Sequence, residues 1–195
     1  LIRNHGEGIA EKSWRKKELI NIVGMNYRLT EFQAAVAIPQ IKALKKRNLK
    51  RKKLFKYLIK GLKKYENFLI PPKIQNNTEF YCYMLKWKWS PKKNMISRNS
   101  LVKKLNALGV PVTAGYKHMM HALPIFSKKI AFKKGCPFEC NFNSKSKPNY
   151  GYGTLPISEK INKQFIWFKY INPPNTYKQM NYVIGAFKKV LEKSF

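Results

Sequence analysis

The stretch Gly24-Met-Asn-Tyr-Arg-Leu-Thr-Glu-Phe-Gln-Ala-Ala-Val-Ala37 decides how the rest of this chain is read. It passes within seven residues from a glycine and a polar cluster to small apolar residues at helical spacing. Thr30 is a suitable N-cap for a helix beginning at Glu31, since its hydroxyl can accept a first-turn N–H. Asn26 and Arg28 then stand just ahead of a helix start, whose free N–H groups and dipole favour an anion. A carboxamide, a guanidinium and a helix N-terminus together can hold a phosphate; a polar turn before a capped helix is the plainer alternative.

Downstream of this start, Phe32, Ala35, Val36 and Ile38 open an apolar stripe. Ile41, Leu44, Leu54, Phe55, Leu58, Ile59 and Leu62 continue it in steps of three and four, the period of an amphipathic helix. Pro39 lies inside the pattern and is expected to kink or interrupt it, because proline lacks the N–H and crowds the preceding turn. The basic run Lys45–Lys53 contains no acid and reads as the solvent face of the same helix, or as a grip on phosphates.

The 195 residues suffice for one domain, or for one domain and part of another. Lys and Arg number 40 against 9 Asp and Glu, a formal charge of +31. Such a surface attracts phosphates, so a basic nucleic-acid-binding module is one candidate class; lysine enrichment inherited from a biased genome is the other explanation. No apolar run is long enough for a bilayer-spanning helix, and no membrane partner is expected. Three cysteines are too few and too odd for a disulfide framework, which favours a reducing, cytoplasmic setting. Cys136 and Cys140 are spaced as a ligand pair, with only His118 and His121 nearby, so no metal site is expected.

Beyond the loop at Pro71-Pro72, residues 80–90 alternate as a half-buried strand. Tyr81, Tyr83, Leu85, Trp87 and Trp89 share one face, and Lys86 and Lys88 the other. Aromatics interleaved with lysines can stack nucleic-acid bases, but here the two kinds of side chain point opposite ways, as in a strand facing a core. Ser97 or Asn99 caps a short helix carrying Leu101, Leu105 and Leu108 and stopped by Gly109. A strand over 110–116 follows, then a long insertion over 127–153, a helix near 158–163 and a strand over 164–171. Thr176 with Gln179 forms a capping box before a last helix carrying Met180, Val183, Ile184, Phe187 and Val190. The alternation predicts an α/β or α+β organisation.

No phosphate-binding glycine loop, zinc-protease motif or nucleophile elbow is present. The motifs that are present resemble a known family. Arg3-Asn-His-Gly6 followed by residues 24–44 is similar to the DegT-type sugar and aminocyclitol aminotransferases, pyridoxal-phosphate enzymes of fold type I. Gly24 through Ala35 fit that family's Gly-x-Asn-Tyr-Arg pattern at every position. Residues 109–126, Gly135–Cys140, Leu155–Ile161 and the closing helix resemble later family segments, so the likeness spans nearly the whole chain. It implies the C-terminal half of such an enzyme: residues 1–40 closing a large cofactor domain, 41–66 a connecting helix, and 67–195 a small C-terminal domain.

The resemblance also implies roles. Asn26 and Arg28 would bind the phosphate of pyridoxal 5'-phosphate held by the other subunit of a homodimer. Tyr27, Tyr116 and His121 would lie near the substrate. No catalytic residue is expected in this chain, because the family's Schiff-base lysine precedes the segment matching Arg3–Gly6. That feature and the opening Leu1 lead to the expectation of a fragment or a truncated gene product. The implied reaction moves an amino group from glutamate or glutamine to a nucleotide-linked keto-sugar or a keto-cyclitol. A non-catalytic dimerisation fragment is the third class considered, beside the enzyme and the nucleic-acid binder.

Overall fold

A computed structural model describes residues 25–132, 135–143 and 148–193. The expectations placed on residues 1–24, including Arg3–Gly6, lie outside these. The chain divides into two compact units, residues 1–46 and 47–195, and the division falls inside the first helix.

That helix, α1, runs Glu31–Gly61. Its start is fixed as the sequence predicts and more firmly: Gln33 N donates to Thr30 Oγ1 at 3.2 Å, and Thr30 N donates to Gln33 Oε1 at 2.9 Å. This reciprocal capping box satisfies two N–H groups that the helix cannot serve itself. Pro39 lies inside α1 and, of the two outcomes expected, interruption does not occur. Proline forfeits one bond of the ladder, the one its own N–H would have made, and bonds on either side carry the helix past it. Within the first unit, Phe32, Val36, Ile38, Ile41 and Leu44 are exposed.

In the second unit the same stripe does turn inward, with Leu54, Phe55, Leu58 and Leu62 buried. The basic run is mostly a solvent face, but Arg51 departs from it. Arg51 is half-buried, donating to Asn172 Oδ1 at 2.6 Å and Asn48 Oδ1 at 2.7 Å. It therefore pins the helix to the loop ahead of the C-terminal helix.

A 3-10 turn at Lys63–Tyr65 leads to β1 (Leu69–Ile70) and β2 (Leu85–Trp89). Then come α2 (Arg98–Ala107), β3 (Val112–Ala114), the short α3 (Pro124–Ser127), α4 (Pro156–Gln164), β4 (Phe165–Phe168) and α5 (Tyr177–Glu192). The strands form one antiparallel sheet in the order β1-β2-β4-β3. The unit is thus α+β, with no parallel βαβ pairing among its described strands.

Register sorts the side chains. Leu85 pairs with Phe168 and Trp87 with Ile166, while Lys86 pairs with Trp167 and Lys88 with Phe165. Leu85, Trp87, Trp89, Ile166 and Phe168 join one buried cluster with Leu54, Leu58, Leu101, Leu105, Met180 and Phe187. Each such side chain removed from water contributes about 1.5–3 kcal/mol before its entropy cost. Trp87 and Trp89, 1% and 2% exposed, therefore have no face left for base stacking.

The predicted strand is shorter than its pattern. Tyr81 and Tyr83 are exposed, and Cys82 and Met84 are buried in their place. The chain bends at Tyr83 and Met84, so the alternation shifts by one residue before Leu85.

Helices α2 and α5 are bounded as predicted. Ser97 caps α2, its side chain accepting from Ser100 N at 3.2 Å, and Gly109 follows with φ +72°. Thr176 and Gln179 form the expected box on α5, whose Met180, Val183, Ile184, Phe187 and Val190 are all buried.

Candidate active site

In the first unit, Asn26, Tyr27 and Arg28 are exposed on the approach to α1. Asn26 Oδ1 accepts from Arg28 Nε at 3.2 Å and from Arg28 N at 3.4 Å. The carboxamide is thereby turned so that it and the guanidinium are neighbours at the positive end of a 31-residue helix. That chemistry fits a phosphate: a planar cation with several donors, an amide and a favourable dipole.

The second unit carries Tyr116 and His121, and both are fastened to α4. Tyr116 N donates to Asn162 Oδ1 at 2.6 Å, and Asn162 Nδ2 donates to Tyr116 O at 3.0 Å. The phenol ring itself stays 55% exposed, edge-on to Trp167 with centroids 4.3 Å apart. Phe165 stacks on Trp167 at 5.5 Å, and the Lys86 ammonium lies 5.3 Å from the Trp167 ring. Tyr116 therefore borders an aromatic and cationic patch on the sheet face opposite the core. The buried Trp167 Nε1 finds no hydrogen-bond acceptor among the described residues.

His121 behaves differently. It is 8% exposed, and its Nε2 lies 2.9 Å from Glu159 Oε1. The same carboxylate accepts from Gly153 N at 2.8 Å, while Gly151 N donates to His121 O at 2.9 Å. The pair thus clasps the segment Gly151–Gly153 onto the turn Met120–Ala122. The hydrogen bond from His121, aided by the Gly153 and Leu155 N–H groups, holds the Glu159 carboxyl below its usual range.

Glu159 and Asn162 are the partners of His121 and Tyr116 that the sequence did not reveal. They lie three residues apart, on one face of α4, and one holds His121 while the other holds Tyr116. Arg98 adds a third tie, Nη1 donating to Asn162 O at 2.6 Å. The visible signal was an acid and an amide at i,i+3 spacing on a short helix. A cavity of about 420 Å³ lies elsewhere in this unit, lined by Val110, Phe168, Lys178, Gln179 and Tyr182 among others, and includes none of the candidate residues. No group of three or more His, Cys, Asp or Glu gathers to hold a metal among the described residues.

The profile of the DegT/DnrJ/EryC1/StrS aminotransferase family matches residues 1–145, most of the chain. The chain belongs to that family. Its aminotransferases use pyridoxal phosphate. No curated protein sequence matches the chain.

Solved structures share the fold. An aminotransferase of Psychrobacter cryohalolentis superposes with a TM-score of 0.71 at 19% identity, covering 99% of this chain and 48% of that one. DesV of S. venezuelae gives 0.71 at 22% identity, covering 98% and 42%. The GDP-4-keto-6-deoxy-D-mannose-3-dehydratase of E. coli, solved with hydrated pyridoxal phosphate, gives 0.61 at 19%, covering 96% and 46%. The chain thus spans just under half the length of these proteins. No described helix is long and apolar enough to cross a membrane.

Proposed function

We propose that residues 1–195 form the C-terminal part of a pyridoxal-phosphate aminotransferase acting on a keto-sugar. The amino group comes from glutamate or glutamine, and the acceptor is a nucleotide-linked keto-sugar or a keto-cyclitol. Family membership supports the reaction type, and the GDP-sugar enzyme among the structural neighbours supports a nucleotide-linked acceptor. Residues 1–40 would close the large domain, 41–66 connect, and 67–195 form the small domain.

The observation that carries the reading is the Asn26–Arg28 pair at the capped start of α1. In the proposed arrangement these two side chains hold the phosphate of the cofactor belonging to the other subunit of a homodimer. The exposed stripe from Phe32 to Leu44 supports the presence of further protein against this half of α1. When bound, the cofactor supplies the electron sink that amino transfer requires. Tyr27 and Tyr116 offer phenol groups to substrate hydroxyls, and His121 serves by keeping the Gly151–Gly153 wall in place. The lysine that anchors the cofactor is supplied from outside residues 1–195, so these residues alone turn nothing over.

The test is Asn26→Ala in the full-length protein, read by cofactor absorbance after gel filtration. Loss of one hydrogen bond to an anion, worth about 1.5–3 kcal/mol, weakens cofactor retention roughly tenfold to a hundredfold. The melting curve of the apo-protein stays where it was. Undiminished cofactor affinity would return Asn26 to the role of a turn residue.

A further inference from the structure

The lysines that α1 carries in the second unit have no part in the proposed reaction. Residues 50–64 hold eight lysines and arginines and no acid, more than half of that stretch, against 40 in the 195 residues of the chain. Two of the eight are engaged by other side chains. Arg51 bonds Asn48 and Asn172, and Lys52 pairs with Glu79 at 3.2 Å.

Lys50, Lys53, Lys56 and Lys60 are all exposed. They follow one another in steps of three and four, the spacing that lines side chains along one side of a helix. The other side carries Leu54, Phe55 and Leu58, which are packed in the core. The ridge is about 15 Å long, ten residues at about 1.5 Å each. None of its four lysines has a carboxylate partner among the described residues. Glu79 is held by Lys52, and Glu192 accepts from Tyr65 Oη at 3.0 Å. Like charges at this spacing repel each other, and a line of phosphates relieves that repulsion.

We propose that Lys50, Lys53, Lys56 and Lys60 form a docking ridge for duplex nucleic acid, gripping its phosphate backbone without reading its sequence. Charge complementarity names the partner, since a duplex carries one negative charge per roughly 1.7 Å of its axis. A single strand fits less well, because its binders stack bases on exposed aromatics. The aromatics of this stretch are already occupied. Phe55 is buried against Phe80, while Tyr57 donates to Asn181 Oδ1 at 2.6 Å and packs on Tyr177 with centroids 4.8 Å apart. An anionic membrane also fits less well. A helix lying in the lipid interface buries its apolar side among acyl chains, and here that side belongs to the protein core.

The experiment reads the anisotropy of a fluorescein-labelled DNA duplex of about 20 base pairs with the full-length protein, from about 50 to 200 mM salt. Four lysines on about four phosphates give a slope of log K against log salt of about −3.6, a loss of roughly a hundredfold over that range. Replacing Lys53, Lys56 and Lys60 together by Gln flattens the slope to about −1, while replacing the same three by Arg keeps it. A second triple separates placement from overall charge. Lys104, Lys189 and Lys193 line one shallow groove between α2 and α5, and Lys104→Gln, Lys189→Gln and Lys193→Gln together remove the same charge. That triple leaves the slope where it was, and a duplex of scrambled sequence binds as well as the first. No binding at the lowest salt, equal effects of the two Gln triples, or binding to phosphatidylserine vesicles in preference to the duplex overturns the proposal.

Discussion

Gly115 joins β3 to Tyr116, and its replacement by alanine is the sharpest test of the ties to α4. The residue has φ +39°, a conformation that costs a side-chain-bearing residue about 1–2 kcal/mol. A Cβ there would stand 2.4 Å from Asn162 O, 2.8 Å from Asn162 Oδ1 and 3.1 Å from Arg98 Nη1. The nearest of these is backbone, which cannot swing aside as a side-chain tip could. Relief requires moving α4 off the β3 end, which strains the Arg98 bond to Asn162 O and both Asn162 bonds to Tyr116. Neutral bonds are worth about 1 kcal/mol each and the charged one somewhat more, with water replacing part of each. Strain and weakened bonds together give about 3 kcal/mol. For a chain of this size that lowers the melting temperature by roughly 6–12 °C. The comparison is Gly109→Ala, where φ is +72° but the nearest atom is Tyr182 Oη at 3.8 Å, so strain acts without a clash. Circular dichroism melts of both variants decide the matter. A Gly115→Ala chain no less stable than Gly109→Ala refutes the argument that close approach to α4 fixes this glycine.

Two further outcomes follow from the same geometry. Glu159 has a depressed folded pKa, so its contribution is present above the ordinary carboxylate range, about 4.3, and is lost as pH falls through the lower folded value. Melts from pH 6 downward therefore show wild type losing stability in that acid window, while Glu159→Gln starts lower and changes less. Thr176→Ala removes the capping box of α5, costing about 1 kcal/mol or roughly 2–4 °C by the same melt; Thr176→Ser keeps most of it.

The fold was legible where one local rule and the tertiary packing agree. Thr30, Ser97 and the Thr176–Gln179 box start their helices by side-chain chemistry within four residues, and Gly109 ends α2 by its backbone freedom, signals that sequence displays directly. The Lys86–Trp89 alternation told core from surface because each face has its own kind of side chain. It failed at Tyr81 and Tyr83, where a bend shifts the phase and puts the smaller Cys82 inside. Pro39 does not end its helix for a related reason: a breaker rule weighs one lost hydrogen bond, and a long helix carries more support than that.

The candidate site was legible only in part, and the difference lies in sequence separation. Asn26 and Arg28 are hydrogen-bonded neighbours with the helix start beside them, so a short motif reveals both. Tyr116 and His121 depend on partners 46 and 38 residues away. No local period joins those positions; they meet because β3 and β4 pair antiparallel and α4 runs directly into β4. Antiparallel pairing brings the end of β3, where Tyr116 follows, back to the start of β4, beside the last turns of α4. Glu159 and Asn162 then reach His121 and Tyr116 from a single helix face. Spacing along α4 could have suggested that the two act together, but only the strand register says on what.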